Sequence, residues 1–200
     1  MSLVRTFYLL ACLLPAIAQA ANLRAVVTDT NGVVLSDAVI FAKPLAANAS
    51  AGKPRGAIID QINKEFVPLV SVVQAGTAIT FPNKDNIRHH VYSFSAPKVF
   101  DLKLYSGVPA SPVVFDKPGL VVLGCNIHDW MVAYLLVVDT PYFAKSDEKG
   151  IAQIDEVPAG EYEIRAWHPR LQGAFPVQKG KTGESINFRL PLTAKPAGAR

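Results

Sequence analysis

The stretch 119-GLVVLGCNIHDWMVAYLLVV-138 sets two continuous apolar runs on either side of the loop CNIHDWM, Cys125 to Met131. Apolar runs this short, rich in Val and Leu and with no helical period, suit strands in a sandwich core. The segments around them read the same way. GTAITFPN, HHVYSFS, KVFDLKLY and SPVVFD precede them, several alternating apolar with polar residues, and Pro and Gly recur between them as turns. The fold class expected is all-β.

Toward the N-terminus, one positive charge at Arg5 precedes an apolar run from Phe7 to Ile17 that ends in Ala18-Gln19-Ala20. This is the pattern of a cleaved secretory signal peptide, residues 1–20. The run is too short for a membrane anchor, which needs about 20 apolar residues. The stretch before Cys12 loosely resembles a lipoprotein box, but its apolar segment is very short and continues past the cysteine. Export implies a periplasmic protein with no transmembrane segment in the mature chain. Losing Arg5 from the 20 basic residues leaves 19 against 16 acidic ones, with no run of like charge, so a nucleic-acid partner is not expected. Export also removes Cys12 and leaves Cys125 alone, which excludes an internal disulfide. A lone thiol in an oxidising compartment is a buried inert residue, half of an intermolecular disulfide, or a protected metal ligand.

The ends of the mature chain differ in style from its middle. NLRAVVTDTNGVVLSDAVIFAKP, residues 22–44, places Asp-Thr-Asn-Gly between two apolar runs and predicts a β-hairpin. Residues 45–56 read as a linker, and 57–140 as the central domain. After Pro141 come a turn at Ser146–Gly150, the strands IAQIDEV, EYEIRAW and SINFRLPL, and a Pro- and Ala-containing tail at 194–200. Residues 21–44 and 141–193 are each too small to bury a core alone, but together they suffice for one small sandwich. VVTDTNGVVLSDAVIF and SDEKGIAQIDEVPAGEYEIRAWHP resemble the two parts of a carboxypeptidase regulatory-like β-sandwich, a transthyretin-like or Ig-like fold. The resemblance implies that the central domain is inserted into it.

The loop CNIHDWM supplies a thiolate, an imidazole and a thioether within seven residues, Cys125, His128 and Met131. Soft sulfur ligands with imidazole favour copper, and a type 1 (blue) site needs two His and one Cys in a trigonal arrangement with a weak axial Met. The second His must come from His89, His90 or His168. His89 and His90 open a strand, where adjacent side chains face opposite ways, so one of the pair can point at the metal. The residues alone leave open which.

At this point the segment from about 60 to 140 resembles the cupredoxins, especially the plastocyanin- and amicyanin-like ones. Asn83-Lys84 followed by His89, and Pro118-Gly119 followed by Cys125, His128 and Met131, match that family's two ligand motifs. The resemblance implies a Greek-key β-sandwich holding one type 1 copper per chain, with His89, Cys125, His128 and Met131 as ligands. It places Asn83 near the ligands and puts His90 where the family usually has Asn, which makes His90 a neighbour of the site or an alternative ligand. Ile127 stands where a Pro often precedes the second His. With Trp130, it suits an apolar docking face around the His128 edge. The longer stretch 112–143, with HHVYSFS and Trp167-His168-Pro169-Arg170, is similar to exported proteins named methylamine utilisation proteins.

A closed Cys-His-His-Met set leaves no open position for substrate, so the expected function is one-electron transfer, not catalysis. The partner expected is a periplasmic redox protein such as a dehydrogenase or a cytochrome c. A copper-delivery or storage role, or a docking module with a secondary copper site, is the competing reading. Enzyme motifs are absent, and a multicopper oxidase would need more histidines than His90 and His168 provide. His168 reads as structural, and Asp155-Glu156, next to a turn, as a solvated loop.

Overall fold

The computed structural model describes residues 20–46 and 52–194. The expected signal peptide, with Cys12, lies outside the described residues except for Ala20, which the first strand includes. Part of the expected linker and most of the tail also lie outside them. All regular structure among the described residues is β, as the sequence predicts, and none of it is a helix long and apolar enough to cross a membrane.

In chain order the strands are β1 (Ala20–Asp29), β2 (Val39–Pro44), β3 (Ala57–Ile58), β4 (Asp60–Ile62), β5 (Glu65–Val67) and β6 (Val70–Gln74). They continue with β7 (Thr77–Thr80), β8 (His89–Ser95), β9 (Lys98–Tyr105), β10 (Val113–Phe115), β11 (Gly119–Gly124) and β12 (Val132–Val138). The set closes with β13 (Tyr142–Lys145), β14 (Ile151–Pro158), β15 (Glu161–Trp167), β16 (Val177–Lys181) and β17 (Ser185–Leu190).

Four sheets stack face to face. The outermost, β14-β1-β17, packs on β13-β2-β15-β16 through Val27, Ile40, Ile154, Ile164 and Phe188. At the other end, β6-β12-β11-β8-β9 packs on β10-β7-β3 through Ile79, Phe81, Phe115, Leu123 and Leu135. A third core joins the two middle sheets, with Val39, Phe41 and Trp167 on one side and Val70, Leu136 and Val138 on the other. This third core explains the apolar runs. β2 and β12 are buried on both faces, so Ile40 and Leu135 turn one way while Phe41 and Leu136 turn the other. A strand covered on both sides has no polar face to alternate.

The predicted hairpin of residues 22–44 is corrected. β1 pairs with β14 and β17, whereas β2 pairs with β13 and β15, so the two runs lie in opposite sheets. Only a short reversal forms, where Asp29 accepts bonds from the amides of Asn31 and Val33, and Thr28 bridges Val34. The chain then crosses the sandwich, because the inward faces Leu23-Ala25-Val27 and Ile40-Ala42 bury more by meeting across a core than by lying side by side.

Candidate metal centre

Cys125 immediately follows β11, and Met131 immediately precedes β12; Gly124 and Val132 are the last paired residues across the gap. The seven residues between them form a loop at one end of the central sandwich. The Met131 amide donates to the His128 carbonyl at 2.9 Å and closes it as a tight turn. Cys125 and Met131 point inward and are 3% and 1% exposed, in the same core as Phe81 and Val91.

His89 reaches the same place from β8 and is fully buried. Its Nδ1 stands 4.0 Å from Cys125 Sγ, and its ring centroid lies 5.1 Å from that of His128. One donor atom each from His89, Cys125 and His128 falls within 4.8 Å of the others. Donors bound at about 2.0–2.3 Å lie roughly 3.5–4 Å apart around a shared ion, so this trio is close to the spacing a metal requires. His128 Nδ1 is buried and has no hydrogen-bond partner, which leaves a lone pair for a metal. The residues present therefore fit copper.

His89 and His90, adjacent on β8, take different partners. His90 points to the other side of β8, where its Nε2 pairs with an Asp101 oxygen. There it lines a surface depression of about 360 Å³ with Lys103, Asn126 and Ile127. It stands outside the trio of His89, Cys125 and His128. Asn83 is buried next to the loop that leads to His89. Its Nδ2 donates to the carbonyls of Ile87 and Tyr105, both at 2.8 Å, and its Oδ1 accepts the Asp85 amide at 3.0 Å. Ile127 and Trp130 are 47% and 66% exposed, and the Trp130 ring centroid lies 5.0 Å from that of His128.

Two residues absent from the sequence reading complete the surroundings. Asp85 accepts a hydrogen bond from His89 Nε2 at 2.7 Å. Burial works against its charge, but bonds from the Lys64 and Asn63 amides and from His89 outweigh that and hold its pKa below the ordinary carboxylate value. Tyr105, half-buried against the core that holds Cys125, donates to the Phe81 carbonyl at 2.5 Å and accepts from Gln61 at 2.6 Å. Burial, with Cys125 close by, pushes its phenol up to about 12 despite the Gln61 bond. The carboxylate four residues before His89 was visible as a spacing. Nothing in the sequence marks Tyr105, whose partners are distant in the chain.

His168 lies in the turn after β15, where its Nδ1 accepts the Arg170 amide at 3.1 Å. Asp155 and Glu156 border a cleft of about 550 Å³ that Lys53, Arg55, Tyr142 and Phe143 also line. Neither belongs to the metal centre.

No protein-family description matches the chain, and no curated protein is found similar to it. Among solved structures, a Cu-containing nitrite reductase from Thermus scotoductus SA-01 is 25% identical over 48% of this chain, with a TM-score of 0.40. This chain spans a quarter of that protein's length. A purple cupredoxin from Nitrosopumilus maritimus is 23% identical over 41% of this chain and 99% of its own, with a TM-score of 0.37. The Cu(I) form of an amicyanin mutant is 15% identical over 48% of this chain and 98% of its own, with a TM-score of 0.38.

Proposed function

We propose that the chain is a periplasmic type 1 copper protein that carries single electrons between redox partners. In this reading the central sandwich is a cupredoxin domain with His89, Cys125, His128 and Met131 as ligands. The observation that carries it is the convergence of His89, Cys125 and His128 on one buried point, with the only methionine beyond Met1 packed in the same core. Copper bound there would supply reversible one-electron change between Cu(II) and Cu(I).

The chain's own residues provide the rest. With His89, Cys125 and Met131 buried, the ligand set would leave no position for a substrate and would keep water from the sulfur. His128 is partly exposed and ringed by Ile127 and Trp130, so a partner such as a dehydrogenase or cytochrome c would dock against that apolar rim. The same closure argues against copper delivery, which requires ligands that open to a recipient.

The test is spectroscopic. Mature protein loaded with Cu(II) is expected to be intensely blue and to show a reversible one-electron wave, and Cys125→Ser is expected to abolish the colour. A colourless adduct, or colour unaffected by that substitution, refutes the assignment. Rapid loss of Cu(I) to a chelator would favour delivery over electron transfer.

A further inference from the structure

The loop leading to His89 is tied to a part of the molecule outside both sheets of the central sandwich. β4 and β5 form a two-stranded ribbon with Asp60 opposite Val67 and Ile62 opposite Glu65. Its turn is Asn63-Lys64, and both residues are left-handed, with φ of 56° and 61°. Two left-handed residues in succession are the signature of the tightest hairpin turn, and Asn tolerates the first position well. The turn aims two consecutive amides at one side chain. Asn63 N–H donates to Asp85 Oδ1 at 2.7 Å and Lys64 N–H to Asp85 Oδ2 at 2.8 Å. Asp85 Oδ2 also accepts from His89 Nε2 at 2.7 Å.

We propose that Asp85 is a positioning residue of the copper site, and that the Asn63–Lys64 turn holds its carboxylate so that His89 keeps its proton on Nε2 and offers Nδ1 to the metal. This rests on the copper reading above. Three donors from two separate elements converge on one carboxylate whose side chain is 12% exposed, so it has little freedom to turn away. With Nε2 committed to Asp85, the ring's remaining lone pair is Nδ1, the atom that faces Cys125 Sγ. An imidazole that donates to a carboxylate is a stronger ligand, and this favours the more highly charged Cu(II) over Cu(I). The anchored carboxylate therefore lowers the reduction potential, and a hairpin turn without any ligand of its own acts on the metal.

Asp85→Asn removes the charge and leaves one acceptor oxygen for three donors, while Asp85→Glu keeps the carboxylate. In copper-free protein at pH 8, above the ordinary histidine range, long-range proton–nitrogen NMR should show His89 as the Nε2–H tautomer. D85N should transfer population to Nδ1–H. An Nδ1–H tautomer in the wild type, or no response in folded D85N, overturns the proposal. In copper-loaded protein, D85N is expected to weaken Cu(II) binding about tenfold relative to Cu(I), which raises the one-electron potential by about 59 mV. D85E should stay near the wild-type value. An unchanged potential in blue D85N overturns the proposal as well. If the wild type binds copper without turning blue, the copper reading falls, and the tautomer still decides whether Asp85 positions His89. If D85N does not fold, the wild-type tautomer decides alone.

Discussion

Replacing Asn83 with Ala should cost the protein about 3 kcal/mol without touching a ligand. The side chain is 5% exposed and makes three hydrogen bonds, two donated to the carbonyls of Ile87 and Tyr105 and one accepted from the Asp85 amide. A hydrogen bond contributes about 1 kcal/mol net, and more when its loss leaves a buried partner unsatisfied, so three give about 3 kcal/mol. For a chain of this size each kcal/mol moves the melting midpoint by about 2–4 °C. The expected fall is thus about 6–12 °C for copper-free protein followed by circular dichroism. The isosteric Asn83→Asp should be at least as damaging, because it puts an oxygen against two carbonyls that the amide nitrogen now satisfies. Because these bonds hold the loop between Asn83 and His89, copper binding should weaken in parallel. A loss below about 1 kcal/mol, or a milder effect for Asp than for Ala, would refute the claim that Asn83 braces this loop through its amide.

Other residues give further checks. A Cβ on Gly124 would meet the Tyr92 ring at 2.8 Å, so Gly124→Ala should destabilise by about 1–3 kcal/mol, and adding Tyr92→Leu should restore most of it in urea melts. Leu136 fills the core between the two middle sheets, so Leu136→Ala should cost about 2–5 kcal/mol, measurable by the same melts, with the copper colour retained. Burial first, and then Arg170, hold the His168 pKa below its ordinary value. That stability is fully present above about pH 6.5 and drains as pH falls toward the lowered folded-state value, since protonation also ends the Arg170 bond to Nδ1. Copper-free His168→Asn, followed by urea melts from pH 7.5 to 5, should lose less stability across that window than the wild type. Trp130→Ala should keep the colour and slow electron exchange with a partner, read by stopped flow.

The candidate metal centre was more legible in the sequence than the way it is braced. Cys125, His128 and Met131 occupy one loop, so their spacing alone brings them near each other, and alternation along a strand separates His89 from His90. Both are local rules. The bracing is not local. Lys64 and Asp85 meet through a ribbon whose turn depends on two positive φ angles, and Gln61 meets Tyr105 across 44 residues. The misread hairpin of residues 22–44 fails for a related reason. A turn signal announces that the chain reverses, and says nothing of whether the next strand pairs beside the last one or crosses to face it.

The third core bears on the proposed role as well as on stability. Apolar runs such as LLVV after Met131 identify a strand that is covered on both faces, but they cannot name what covers it. Here the cover is the sheet containing β2 and β15, whose Phe41 and Trp167 share a core with Leu136 and Val138. The strand that continues from Met131 is therefore packed from both sides, while the strand carrying His89 is anchored at its entry by Asn83 and Asp85. Ligands mounted on elements held this way have little room to rearrange when a bound ion changes charge. A site that rearranges little between its two oxidation states loses little to reorganisation at each transfer. The flanking sandwich, with no ligand of its own in the centre, would serve electron transfer by keeping β12 in place.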